Sequence, residues 1–274
     1  MKKLILIGTI VTILVIGGIA VAQGVPRSPA TVLPSGETVI VPDQATDNSP
    51  VLEKAIFIHY RKGFAKPGCG NGICEPGENV KNCPADCAGN GGGKEKGPLC
   101  YGFLSKGAEL KSVENLIIHP DLDVSAISSS TLEWDSNTSA TLFGSYTIDP
   151  TANWDSETPD GKNEFSFGDY PQPGVIAVTI VWGYFSGPPQ TREIVEFDVL
   201  FDTDFTWGNA TVNPSVMDLQ NIATHEIGHG VGLDDIYESA CSAVTMYGYS
   251  DYGETQKRTL EQPDITGLQK MYGL

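Results

Sequence analysis

The chain has 274 residues, 40% of them hydrophobic, and carries 34 acidic against 17 basic side chains for a formal net charge of -17. That length holds one fair-sized domain with smaller attachments. So acidic a balance leaves no basic footprint for nucleic acid or anionic lipid, and nucleic acid is not expected as a partner.

Lys2 and Lys3 precede an uncharged apolar run from Leu4 to Ala22, and Ala20-Val21-Ala22 offers a cleavage motif before Gln23. Residues 1–22 therefore read as a signal peptide, or as an uncleaved membrane anchor through residues 4–22. Either reading exports the rest, secreted or held at the cell surface, and six cysteines suit an oxidising compartment. Residues 23–68 open with a Pro-, Ser- and Thr-rich stretch that reads as a spacer or propeptide-like segment, with one strand predicted over Ala55 to Tyr60. Residues 69–87 gather Cys69, Cys74, Cys83 and Cys87 among Gly, Asn and Pro. With little apolar material, such a segment is a disulfide-rich module, four-thiolate zinc being the alternative. Three disulfide pairings are open, and Asn71, Glu75, Glu78 and Asp86 are calcium candidates or solvated turn residues. If the module is self-contained, Cys100 and Cys241 are left to pair. A Gly-rich linker over 88–98 leads to the large domain, residues 99–274.

There a helix is predicted over Ser125 to Ser136, with Ile127, Leu132 and Trp134 as core contacts. Strands follow at Glu164 to Phe167, Gly174 to Trp182 and Ile194 to Phe201. A second helix is expected to start at Asn213-Pro214, an N-cap with Pro in the first turn, and a last one to run from Pro263 to Tyr272. Strands with helices around them indicate an α+β domain.

The second helix contains His225-Glu226-Ile227-Gly228-His229. Histidines four apart project from one helix face, so both imidazoles reach one small cation. Glu226 beside them suits the general base for a zinc-activated water. Gly230 and Gly232 let the chain turn sharply and return Asp235 as third ligand, a spacing that favours it over Asp234. The metal set is thus His225, His229 and Asp235, with Glu226 catalytic. A zinc-binding protein without turnover, in an envelope or adhesion role, is the competing reading.

The full string H-E-x-x-H-x-x-G-x-x-D resembles the metzincin metallopeptidases. Met246, eleven residues beyond Asp235, resembles their Met-containing turn. Asp264-Ile-Thr-Gly-Leu-Gln-Lys-Met-Tyr-Gly273 and Asp160-Gly-Lys-Asn-Glu-Phe-Ser-Phe-Gly168 look like the closing helix and a strand entry of the matrixin branch. The resemblance is tight over 221–273, loose over the rest of 99–274, and absent over 23–98. It implies a monomeric zinc endopeptidase with a twisted mixed sheet above the zinc-binding helix, whose protein or peptide substrate adds as a strand along the sheet edge. Where some relatives carry a Tyr ligand, this chain has Gly248, flanked by Tyr247 and Tyr249. Lys66-Pro-Gly-Cys69 weakly resembles the cysteine that keeps matrixins latent.

Asp198, Asp202 and Asp204 are candidates for structural calcium, though an outward position on a half-buried strand explains Asp198 equally well. His59 and His119 have no partner motif and read as structural or surface residues. The loop from Ser250 to Lys257 has no readable chemistry.

Overall fold

The computed structural model describes residues 50–64 and 99–274, with the backbone of 30–32 and 38–40. The expected leader, cysteine module and Gly-rich linker lie outside the described residues.

Among the described residues, and leaving aside two-residue strands at 102–103, 109–110, 207–208, 217–218 and 233–234, the strands are β1 (Ala30–Val32), β2 (Thr38–Ile40), β3 (Glu53–Arg61), β4 (Glu114–Ile118), β5 (Phe143–Ile148), β6 (Asn163–Gly168), β7 (Val175–Tyr184), β8 (Glu193–Asp202) and β9 (Tyr249–Ser250). The main sheet has the order β1-β2-β3-β7-β8-β6-β4-β5. The ladders from β8 through β6 and β4 to β5 are parallel, and those from β8 through β7 to β3 are antiparallel. Three helices join it: α1 (Val124–Asp135), α2 (Leu219–Gly230) and α3 (Gln262–Tyr272). The result is a mixed-sheet α+β fold, as expected.

β7 and β8 are nearly all buried because both their faces are covered; β7 is almost wholly apolar, whereas β8 also buries Glu196, Asp198 and Asp202. Phe197, Val199 and Phe201 of β8 join Ile127 and Trp134 of α1 and Ile222 and Ile227 of α2 in one buried core. Leu132, expected in that core, is 66% exposed. The face that meets α2 follows Ile127, Thr131 and Trp134 at helical spacing, which turns residue 132 to solvent. Ser130 Oγ donates to the Gln220 carbonyl at 3.2 Å and Trp134 Nε1 to that of Thr224 at 2.9 Å, so α1 fixes the azimuth of α2.

Helix α2 starts later than its sequence suggests. Asn213 organises a turn instead: its side chain accepts from Ser215 N at 3.1 Å and its carbonyl from Val216 N at 3.3 Å, with Pro214 inside. Met217–Asp218 is extended, pairing with Trp207–Gly208. Asp218 then caps α2, accepting from Asn221 N at 2.9 Å, and Arg258 donates to the same carboxylate.

A larger difference concerns the segment before residue 65. The predicted strand does form, but β3 sits inside the sheet, antiparallel to β7 from Glu53 to Tyr60 and parallel to β9 at Tyr60 and Arg61. The sequence reading expected a substrate strand along the sheet edge; the edge of β7 is taken instead by residues assigned to the spacer. Alternating buried side chains of β3, Ala55, Phe57 and His59, make it a two-sided strand rather than a solvated arm.

Cys100 and Cys241 form a disulfide, Cα to Cα 5.3 Å, tying the start of the large domain to the loop before Met246. Below the sheet, Asp264 at the start of α3 accepts from Thr245 N at 2.9 Å and Met246 N at 3.2 Å. A Cβ on Gly228 would lie 2.2 Å from Met246 Sδ and 2.9 Å from Trp134. Helix α2 can thus lie between the Met-containing turn and α1 only with glycine there. Gly228→Ala is expected to destabilise the fold by about 1–3 kcal/mol through overpacking, read as a lower midpoint of urea unfolding at constant slope.

Candidate metal centre

Helix α2 carries His225 and His229 one turn apart, facing the sheet. His225 Nδ1 lies 2.7 Å from the Thr245 carbonyl oxygen and His229 Nδ1 3.0 Å from that of Leu233. An oxygen acceptor requires Nδ1–H, so each ring turns its Nε2 lone pair inward. The two Nε2 atoms stand 3.2 Å apart.

After α2 the chain reverses at Gly232, with φ of +96° and space for a Cβ closed off by the Ala108 carbonyl oxygen at 2.1 Å. Only glycine fits both conditions. The reversal brings Asp235 Oδ1 to 3.2 Å from His225 Nε2 and 3.6 Å from His229 Nε2. Tyr237 Oη donates to the other oxygen of Asp235 at 2.8 Å. Donors about 2.0–2.2 Å from a tetrahedral zinc stand about 3.3–3.6 Å apart, which the three measured separations approximate. Two imidazoles and a carboxylate also suit zinc chemically. Asp234 is not in the group; it pairs in backbone with Gly102 on the short strand at 102–103.

Glu226 is fully buried beside these donors. Thr179 Oγ1 of β7 donates to Oε2 at 2.5 Å, and His59 Nδ1 stands 2.9 Å from Oε1. Burial pushes the Glu226 carboxyl up to about 8 and holds His229 down at about 3. His59, which sequence reasoning set aside, belongs to this site. Its ring lies 4.0 Å from that of His225, and Phe57, two residues earlier, stacks on His229 at 3.9 Å. Lys257 was missed too. It is fully buried, donates to the carbonyls of Tyr247 and Tyr249 and stands 3.2 Å from His59 Nε2, and burial lowers it to about 7. No local motif marks either residue; only the pairing of β3 with β7 and β9 assembles them. Tyr249 packs edge-on against Tyr237 and Tyr247. His119 lies at the surface near Asp121.

The three aspartates considered for calcium divide. Asp202 and Asp204 neighbour Asp169, whereas Asp198 lies with Glu196 and Asp155. Asp198 accepts from Glu164 N at 3.0 Å and Asp155 N at 3.2 Å. Burial and the Glu196 carboxylate push Asp198 up to about 9.

Residues 186–273 match the matrixin family model, about a third of the chain. The chain is 38% identical to human neutrophil collagenase over 77 residues, 28% of this chain and 15% of that protein. It is 33% identical to rat matrix metalloproteinase-16 over 90 residues (33% and 14%) and 42% identical to soybean (Glycine max) metalloendoproteinase 1 over 79 residues (27% and 25%). The matches span a quarter or less of each of these relatives. They support a matrixin-like metallopeptidase and the metzincin-like form of the fold.

Because Asp198 holds its proton in the folded state from its ordinary 3.8 up to about 9, the folded protein binds more protons than the unfolded one across that window. Stability from this group is therefore present at low pH and lost as pH rises. The thermal midpoint in chelator should fall between about pH 5 and about pH 8, and Asp198→Asn should make that fall shallower.

Proposed function

We propose that this chain is an extracellular zinc-dependent endopeptidase in which His225 Nε2, His229 Nε2 and Asp235 Oδ1 hold the metal and Glu226 is the general base. The observation that carries the reading is the convergence of those three buried donors at separations of 3.2, 3.2 and 3.6 Å, with the Glu226 carboxylate at the next position on the helix. The matrixin match over 186–273 supports the same reaction class. Export rests on the apolar run at 4–22 and agrees with the Cys100–Cys241 disulfide.

When bound, zinc supplies Lewis-acid chemistry, polarising a peptide carbonyl and acidifying water. The chain's own residues do the rest. Carbonyl oxygens of Thr245 and Leu233 hold the imidazoles in their ligating tautomer, and Tyr237 holds the carboxylate of Asp235. Glu226 takes a proton on Oε1, the oxygen that faces His59 in the closed site, while Thr179 keeps Oε2 in place. Glu226 then passes that proton to the departing amine, so one carboxylate serves as base and then as acid. The substrate is a protein or peptide in extended form, its backbone added to the edge of β7.

Near Asp198, the buried carboxyls of Glu196 and Asp198 with Asp155, Asp160 and Glu164 make structural calcium a second proposed ligand.

Glu226→Gln should retain about one zinc per chain and lose kcat/KM by on the order of 10²–10⁴ against an unfolded protein substrate. Asp235→Ala should lose the metal itself, measured by elemental analysis after dialysis. A wild-type protein that holds zinc and cleaves nothing would instead support the non-catalytic zinc-binding role. The negative ligand Asp235 also makes the metal less electron-poor, so Asp235→His should move the rising limb of the pH–rate profile to lower pH. An unchanged profile would sink that last point.

A further inference from the structure

The sheet ends in a bare edge on the side away from the metal centre. β5 is the outermost strand there, and among the described residues no strand pairs with its outer side. Proteins guard such edges with charge, proline or a covering segment. β5 is unguarded. From Thr141 to Ile148 the chain carries no charged residue and no proline, in a molecule whose net charge is -17. Residues 144–148 are all exposed. The irregular register between Glu114 and Leu116 is closed from the β4 side, where Asn115 Oδ1 accepts from Ser145 N at 2.9 Å.

Two of the exposed residues are large and apolar, and they belong to the core face of the sheet. Tyr146 pairs with Leu116 of β4 and Ile148 with Ile118, both buried in the core that α1 covers. Paired residues share a face, so Tyr146 and Ile148 carry that core face past the helix, 50% and 53% exposed. Leu132 of α1, itself exposed, lines with Tyr146 a cavity of about 210 Å³ between helix and strand. The backbone alternates as well. Asp149 N donates to the Ile118 carbonyl at 3.2 Å, which turns the N–H and C=O of Ile148, and of Tyr146 two residues before it, to the outer side.

We propose that two copies of this chain join at this edge, β5 against β5, antiparallel about a two-fold axis through Thr147. That register sets Tyr146 opposite Ile148 of the second copy and Ile148 opposite its Tyr146, an aromatic against a β-branched side chain on each side of the axis. It satisfies the outward backbone groups of both residues and brings the second copy's Ile148 to the mouth of the cavity beside Leu132. Asp149 falls opposite Ser145, so no carboxylate of one strand faces a carboxylate of the other. A contact that is its own complement needs no opposite charge, which suits an uncharged strand on an acidic molecule. Tyr146, Ile148 and Leu132 expose on the order of 100 Å² each, and with the backbone edges the two copies bury about 1,000 Å². That is the small end of specific interfaces, so the dimer is reversible. It replaces the monomer that the matrixin resemblance implies, and it leaves the β3 side of each sheet, with its metal centre, at the far ends of the pair.

The test uses the full chain with Glu226→Gln, so that no copy can cut another. At the axis the two Thr147 residues form a non-hydrogen-bonded pair with Cα atoms about 4.5 Å apart, within reach of a disulfide. Thr147→Cys should therefore cross-link two copies under mild oxidation, whereas Ser145→Cys, opposite Asp149, should not. Adding Ile148→Lys, a change at an exposed position, should lower the cross-linked fraction by about tenfold or more. In the parent chain the amides of Tyr146 and Ile148 should gain hydrogen-exchange protection between about 1 and about 100 μM protein. Because both copies are acidic, association should tighten with added salt. The proposal is overturned if folded Thr147→Cys stays uncross-linked at the higher concentration, or if Ser145→Cys links as readily. Linking that ignores Ile148→Lys also overturns it, and assigns the association to another part of the chain such as 4–22. Association that weakens with salt overturns it in favour of a contact between unlike charges.

Discussion

Three donor atoms must meet at one point, and most of the C-terminal half of the chain can be understood as what that meeting requires. Two of the donors share α2, where helix geometry alone brings the imidazoles to one side. It does not rotate them. That is done by the carbonyl oxygens of Thr245 and Leu233. Thr245 is placed by the Asp264 carboxylate, which also holds Met246 and the first turn of α3. Leu233 is placed by its pairing with Phe103 and by the reversal at Gly232. The third donor arrives two residues later, and Ile236 N bonds the Met246 carbonyl at 2.8 Å, so the ligand loop and the Met-containing turn brace each other. The closing helix, the turn and the glycines are therefore one support for a small geometric figure.

Burial gives that figure its chemical character. Removing the imidazoles from water lowers His225 and His229, which keeps both neutral and able to ligate, while the same desolvation raises Glu226. A buried carboxylate needs donors, and in the closed site it has them from Thr179 and His59. Thr179 belongs to β7 and stays with the domain. His59 belongs to β3, so the second donor comes from outside residues 99–274.

How much of this can be read in the sequence depends on the range over which each feature is encoded. The H-E-x-x-H string, Gly232 and Asp235 lie within eleven residues, so their convergence follows from one helix and one turn. β7 announces itself by a nearly unbroken apolar run, as a fully covered strand does, and β8 by its Ile, Val, Leu and Phe between the acidic residues. The start of α2 was misread because Asn213-Pro214 carries the same residue types as an N-cap, and turn and cap are distinguished only by whether the next residues find a strand partner. Leu132 was misread by a single helical position. His59 and Lys257 stand 198 residues apart, and each is unremarkable in its own neighbourhood. Their meeting is a property of sheet order, which hydrophobic patterning does not encode.

Sheet order also explains what β3 covers. The outward edge of β7 presents a row of backbone donors and acceptors, and so does the short edge of β9. Left bare they would be a template for any extended chain. Pairing with β3 satisfies the backbone of both edges at once, and stacking Phe57 and His59 on the histidines covers the apolar floor. The contacts that bury the three donors are therefore of two kinds, backbone of β3 to β7 and β9 and its side chains to the rings of His225 and His229.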